Sequence, residues 1–390
     1  MQYREDKKGN KISILGYGCM RFSQTAGIID VKKTEKELLL AVEKGVNYFD
    51  TAYIYPGSET ALGEIAERNG LREKINIATK LPHYLIKNEN SAENFFLEEL
   101  KRLRTDHVDY YLMHMLTDVK TWERLSSLGI PQWLEQKKAS GAIGQVGFSY
   151  HGNSDMFLRL LEVYPWDFCQ IQYNYLDEHS QAGVTGLKRA AELGIPVIIM
   201  EPLRGGRLVS GLPKKAKSMI AGHTSGRSAA EWSFDWLWSQ PEVTCVLSGM
   251  NSSEMVAENT QAAENFHILA PEDYEFIEKI KAEINEKIPV PCTGCRYCMP
   301  CPKGVDIPGI FSALNRSATD GTFKGLADYV MCTQIRSDYT GAYNCISCGL
   351  CEKKCPQGIS IRENLKTAGK KFEKPLYKGA VKILKKVMKY

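Results

Sequence analysis

The sequence predicts an α/β protein: a closed (β/α)8 barrel, the TIM-barrel architecture, followed by a small cysteine-rich domain. Three observations carry that expectation. From residue 10 to about 285, eight short apolar runs alternate with longer amphipathic stretches, and eight β-α units in that length match a closed barrel in number and size. Several runs are continuously apolar or β-branched, as strands buried on both faces are. Nine of the twelve cysteines fall within the last hundred residues, and eight of them form two copies of one motif. An open doubly wound sheet would usually carry a Gly-x-Gly-x-x-Gly turn after its first strand, and none is present.

Taken in order, strands are expected at residues 15–20, 48–51, 75–80, 108–114, 144–149, 168–173, 196–201 and 244–249, with helices such as 33–44, 91–103, 185–193 and 228–238 between them. Residues 2–4 and 11–15, joined by Lys7-Lys8-Gly9-Asn10, fit a hairpin ahead of the barrel. Ile288-Pro289-Val290-Pro291 is stiff and immediately precedes the first clustered cysteine. The expected division is therefore a barrel over 1–287, a cysteine-rich domain over 288–365 and a basic tail over 366–390. In the tail, Leu376, Ala380, Ile383, Leu384 and Val387 recur at helical spacing among lysines, which fits a terminal helix with a solvated lysine face.

Composition narrows the function. Charged residues are 25% and hydrophobic ones 43%, ordinary for a globular protein. The formal charge of +4 counts cysteines as neutral thiols; eight thiolates around two cubane clusters of core charge roughly +2 each would bring it to about zero. Charge thus gives no case for nucleic-acid binding. The first residues, Met1-Gln2-Tyr3-Arg4-Glu5-Asp6-Lys7-Lys8, hold no apolar secretory segment, and no run approaches the length of a membrane span. A cytoplasmic protein is expected, whose cysteines ligate metal rather than form disulfides. Cys19, Cys169, Cys245 and Cys332 stand singly and read as small buried hydrophobes.

The clustered cysteines are Cys292, Cys295, Cys298 and Cys301, then Cys345, Cys348, Cys351 and Cys355. A three-residue period lets a looping backbone wrap successive corners of a [4Fe–4S] cube, and the remote fourth cysteine completes the other cube in two-cluster bacterial ferredoxins. On that pattern Cys292, Cys295 and Cys298 share a cluster with Cys355, while Cys345, Cys348 and Cys351 share one with Cys301. The segment Cys301-Pro302-Lys303-Gly304-Val305-Asp306-Ile307 recurs as Cys355-Pro356-Gln357-Gly358-Ile359-Ser360-Ile361, a duplicated half-module. One spacing departs from the pattern: Cys298 and Cys301 are separated by two residues where three are usual. Paired structural zinc sites would use separated Cys-x-x-Cys units instead.

Barrel active sites lie at the C-terminal ends of the strands. There the sequence places Asp50 and Tyr55 after strand two, Lys80 at the end of strand three and His114 at the end of strand four. Lysine beside a phenol favours the phenolate and is expected to lower the tyrosine's pKa from about 10. A carboxylate keeps the lysine charged, and a histidine orients a carbonyl or relays a proton. Together they make a general acid for a developing alkoxide.

The segments Gly45-Val46-Asn47-Tyr48-Phe49-Asp50-Thr51-Ala52-Tyr53-Ile54-Tyr55, Ile77-Ala78-Thr79-Lys80, Val108-Asp109-Tyr110-Tyr111-Leu112-Met113-His114 and Gly147-Phe148-Ser149 resemble the aldo-keto reductases. With the cysteine tail, the chain resembles that family's iron–sulfur branch. The resemblance implies an oxidoreductase with Tyr55 as acid, Lys80 and Asp50 tuning it and His114 orienting the carbonyl. It also implies a nicotinamide cofactor, with Ser149 and Gln170 at the carboxamide, Pro202, Leu203, Gly205 and Gly206 along the pyrophosphate, and Asn259 near the adenine. Two departures bear on that cofactor. Met200, followed by Glu201, stands where members often stack a tyrosine on the nicotinamide. Gly249 and Met255, with Glu254 adjacent, stand where NADP-selective members carry lysine and arginine. NADH is therefore expected over NADPH. The expected substrate is a carbonyl or related unsaturated small molecule, and the clusters, which move one electron each, suggest a ferredoxin-type redox partner. The other reading is a cluster-bearing electron carrier whose barrel is a docking scaffold.

Overall fold

The computed structural model describes residues 1–375 apart from 287, 293, 295, 336, 337 and 356. The tail pattern from Leu376 to Val387 and the ligand position Cys295 lie outside the described residues.

Eight parallel strands close into a barrel: Leu15–Gly18, Tyr48–Asp50, Asn76–Leu81, Val108–Leu116, Ile143–Tyr150, Phe168–Gln172, Val197–Met200 and Val243–Ser248, called here the first to eighth strands. The eighth pairs back onto the first, Val246 with Leu15 and Ser248 with Tyr17. Each expected strand is present, shifted by a residue or two at its ends. The expected hairpin is present too, Tyr3–Glu5 against Lys11–Ser13.

Side chains fill the barrel. Ile12 from the hairpin packs with Tyr48, Tyr110, Phe168, Ile198, Cys245 and Leu247 in one interior cluster. Tyr110 crosses Tyr48 at 5.0 Å and Phe168 at 5.2 Å between ring centroids, both edge to face. Space is tight enough that a Cβ on Gly16 would meet Cys245 Sγ and Leu247 Cδ2 at 2.8 Å. Asp6, in the hairpin loop, accepts a bond from the Tyr110 hydroxyl at 2.5 Å and another from Gln145. These contacts stopper the N-terminal end and leave the opposite mouth for chemistry. Outside the strands, the helices bury a continuous second core running from Ile14 to Ile284.

A separate apolar core begins at Val290 and ends at Phe372. Its repeated positions Val305 and Ile307, and Ile359 and Ile361, are all buried in it, so the two half-modules face one another across a shared interior. Each repeat runs directly into a helix, Ile307–Thr319 and Ile361–Phe372. The helix Thr322–Thr333 follows the first of these. Among the described residues no helix is long and apolar enough to cross a membrane.

This smaller unit sits on the C-terminal face of the barrel. Every cross-contact below begins at a barrel residue that follows a strand end. Arg316 Nη2 donates to Glu201 Oε2 at 3.0 Å, Arg296 Nη2 to Asp155 Oδ2 at 2.6 Å, and Lys120 Nζ to Asp338 Oδ1 at 2.8 Å. The hydroxyls of Ser180 and Ser312 lie 2.7 Å apart.

Candidate active site

Asp50, Lys80 and His114 stand on adjacent strands because the parallel register places Asp50 beside Ala78 and Lys80 beside Leu112. Tyr55 arrives on the turn after the second strand, its amide bonded to the Ala52 carbonyl at 3.0 Å and its carbonyl to the Ser58 amide at 3.1 Å. Lys80 Nζ donates to Asp50 Oδ1 at 2.5 Å and to the Thr51 carbonyl at 2.7 Å. It lies 5.2 Å from the Tyr55 ring centroid. The His114 ring is 5.9 Å from that of Tyr55 and nearly perpendicular to it, at 86°. All four predicted residues thus converge on one spot.

Their electrostatics follow from burial set against charge. Burial works against the Lys80 ammonium, but Asp50 and Tyr55 outweigh it and hold the lysine above its ordinary range. Burial pushes the Tyr55 phenol up, and Lys80 pulls it back only in part. The net shift is upward, which corrects the expectation from sequence: loss of solvation exceeds the lysine's pull. The phenol therefore keeps its proton at neutral pH, the state a proton donor needs. Burial, then the charges of Lys80 and His151, hold His114 well below its ordinary value, so the imidazole is neutral. Its Nδ1 is buried with no hydrogen-bond partner among the described residues.

Ser149 and Gln170 are register partners on the fifth and sixth strands. Ser149 Oγ accepts from the Met115 amide at 2.8 Å, and Gln170 Nε2 donates to Asp50 Oδ2 at 3.3 Å. Gln170 Oε1 is buried and has no partner among the described residues. Such an acceptor suits the amide protons of a carboxamide. Past the seventh strand, Glu201, Arg204, Gly205 and Gly206 all adopt positive φ (53°, 47°, 67° and 88°). For the two non-glycines this conformation costs about 1–2 kcal/mol each. A buried bidentate pair from Arg204 to Asp177, at 2.8 and 3.0 Å, holds the loop there, and Arg316 anchors Glu201 from the smaller unit. Asn259 Nδ2 donates to Ser248 Oγ at 3.0 Å. Met255 is exposed.

The cysteines line two cavities. One, of about 100 Å³, is walled by Cys298, Cys301, Cys345, Cys348 and Cys351. The other has Cys292, Cys298 and Cys355 in its wall. In each, thiols from one motif meet the remote fourth cysteine of the other. The four single cysteines are buried, as expected.

Residues 14–282 match the Aldo/keto reductase family. This protein belongs to it. Residues 291–360 of this family member match the 4Fe-4S dicluster domain, so its architecture is a TIM barrel with a ferredoxin-type iron–sulfur domain. It is similar to an uncharacterised oxidoreductase, YrpG, of Bacillus subtilis, 25% identical over 303 residues covering 66% of this chain and 89% of the relative. It is also similar to the methylglyoxal reductase YeaE of Escherichia coli, 29% identical over 222 residues covering 55% and 74%. In fold it is similar to an aldo-keto reductase from Klebsiella pneumoniae solved in complex with NADPH. That match has a TM-score of 0.61 at 21% identity and covers 72% of this chain and 95% of the other.

One polar residue of this reductase escaped the sequence reading. Arg21 lies just past the first strand and spans the gap between the loops after the seventh and eighth. Its Nη1 is 3.4 Å from the Gly205 carbonyl, and a Cβ on Gly205 or Gly249 would strike it at 2.9 or 2.8 Å. Scanning the first strand's end as the second, third and fourth were scanned would have found it.

Proposed function

We propose that this aldo/keto reductase reduces the carbonyl, or a related unsaturated bond, of a small cytoplasmic molecule, with Tyr55 as the general acid. The observation that carries the proposal is the convergence of Tyr55 with the buried Lys80–Asp50 pair and the neutral His114. His114 holds the carbonyl oxygen near the phenol, and Tyr55 gives that oxygen its proton. Lys80, kept charged by Asp50, stabilises the phenolate that remains. A bound nicotinamide supplies a hydride there, and [4Fe–4S] clusters supply single electrons. Ser149 and the open acceptor of Gln170 would hold the carboxamide, Pro202, Leu203, Gly205 and Gly206 the pyrophosphate, and Asn259 the adenine end.

Two clusters belong to this reading, one on Cys292, Cys295, Cys298 and Cys355, the other on Cys301, Cys345, Cys348 and Cys351; the two thiol-lined cavities support it. The same reading divides the chain into a barrel over 1–287, a cluster domain from 288 and a basic tail, and the helix Ile361–Phe372, with Ala368 and Phe372 in the smaller core, carries the cluster domain past the expected boundary at 365. NADH is favoured over NADPH because Gly249 and Met255 offer a 2′-phosphate no charge and Glu254 repels it. Tyr55→Phe decides the central claim. It should abolish carbonyl reduction with the fold and dinucleotide binding intact. Full turnover by that variant would leave the barrel as a docking scaffold for an electron carrier.

A further inference from the structure

Three cavities run in series from the outside of the smaller unit to the barrel mouth. The outermost is the one walled by Cys301, Cys345, Cys348 and Cys351. It shares Cys298 and Ile307 with the second, which holds Cys292 and Cys355. The second shares Arg296 and Pro308 with a third, between the two units, whose barrel wall includes Gln172 and Gln181. Gln181 Nε2 donates to Gln172 Oε1 at 2.6 Å and its Oε1 lies 3.2 Å from His151 Nδ1. The His151 amide in turn donates to the Leu116 carbonyl at 3.4 Å, on the fourth strand two residues beyond His114. The thiol sites are therefore not equivalent: one faces the tetrad and the other faces out.

The outer site has the surface of a landing area. Cys348 is exposed, and Ile346 and Leu350 beside it are 60% and 49% exposed. Among the described residues both charged side chains in the cavity wall, Lys303 and Lys354, are lysines, and no carboxylate lines it. Glu352 nearby is taken up by Arg362 at 2.7 Å. An apolar centre within a basic rim is complementary to a protein with an apolar centre and an acidic rim.

We infer that this face docks an acidic one-electron carrier protein, making the Cys301/Cys345/Cys348/Cys351 site the entry for electrons and the Cys292/Cys298/Cys355 site the exit toward the barrel. The inference rests on the iron–sulfur reading above. Each encounter oxidises the carrier by one electron and reduces the outer site by one, with no bond or proton transferred; two encounters match the two electrons of a carbonyl reduction. The test mixes anaerobic oxidised holoprotein with a reduced acidic [2Fe–2S] ferredoxin in a stopped-flow cell, without substrate or nicotinamide, and follows ferredoxin reoxidation. The wild-type rate should fall steeply with salt. Lys303→Glu/Lys354→Glu should lower it by about tenfold or more and flatten the salt dependence, while reduced methyl viologen, a small cation, reacts with both proteins at least as well. Unchanged iron content and electron paramagnetic resonance spectrum show that the variant is folded and loaded. Equal ferredoxin rates for wild type and variant would overturn the docking face and leave the cluster reading standing. Absence of iron and sulfide from the wild type would overturn both.

Discussion

The two units of this protein are held together by different means. The barrel buries a continuous apolar shell from Ile14 to Ile284 around a filled interior, enough surface to fold on burial alone. The smaller unit buries a short set of residues between Val290 and Phe372, and six of its clustered cysteines pack on the edge of that core. With so much less apolar surface to bury, the cluster domain is expected to draw a larger share of its stability from what its thiols hold.

The largest expected effect breaks the comparison open. Stripping iron with a chelator should remove amide-exchange protection across residues 290–372 while the barrel strands keep theirs. Loss of protection in both units together would mean the barrel leans on the cap as well. The next effect lies within the barrel. Lys80→Met strands the buried Asp50 carboxylate and should cost about 3–5 kcal/mol in urea unfolding, with Lys80→Met/Asp50→Asn recovering much of it; no recovery would mean that the loss is one of packing. A smaller effect concerns Arg21. Arg21→Ala should weaken NADH and NADPH alike by about tenfold, or about 1.4 kcal/mol, because a cation between Gly205 and Gly249 faces the stretch that both share. A penalty confined to NADPH in calorimetry would assign Arg21 to the 2′-phosphate and end the case for NADH. The smallest effect is a flat line. With Tyr55 held above about 10 and His114 well below about 6.5, reduction should be insensitive to pH between about 6 and 9 and fall only as the phenol ionises at higher pH. An acid limb centred near 6.5 would make His114 the titrating donor.

Legibility differed between the units as well. The barrel strands could be read because burial on both faces writes them as apolar runs, and the tetrad because polar residues at strand ends interrupt those runs. The cysteine periodicity named the cluster chemistry outright. Three things stayed hidden. The direction of the Tyr55 shift depends on how deeply the phenol is covered, which spacing does not encode. The helices Ile307–Thr319 and Thr322–Thr333 fill the stretch between the motifs, where a ferredoxin pattern draws the eye only to cysteines. The Arg316–Glu201 contact joins residues 115 apart, and a lone arginine gives no local sign of its partner.

The pairing of Val246 with Leu15 has a consequence for how the chain is made. A ribosome delivers the first strand long before the eighth, so the barrel stays open until residues near 248 have emerged. The first cysteine motif follows within about fifty residues and the second within about a hundred and ten. They reach the solvent when the barrel has its last strand and the face they rest on can form. Iron–sulfur assembly therefore meets a chain whose larger part can already be folded, and a delay in loading leaves a closed barrel waiting without its cap rather than an unfolded polypeptide.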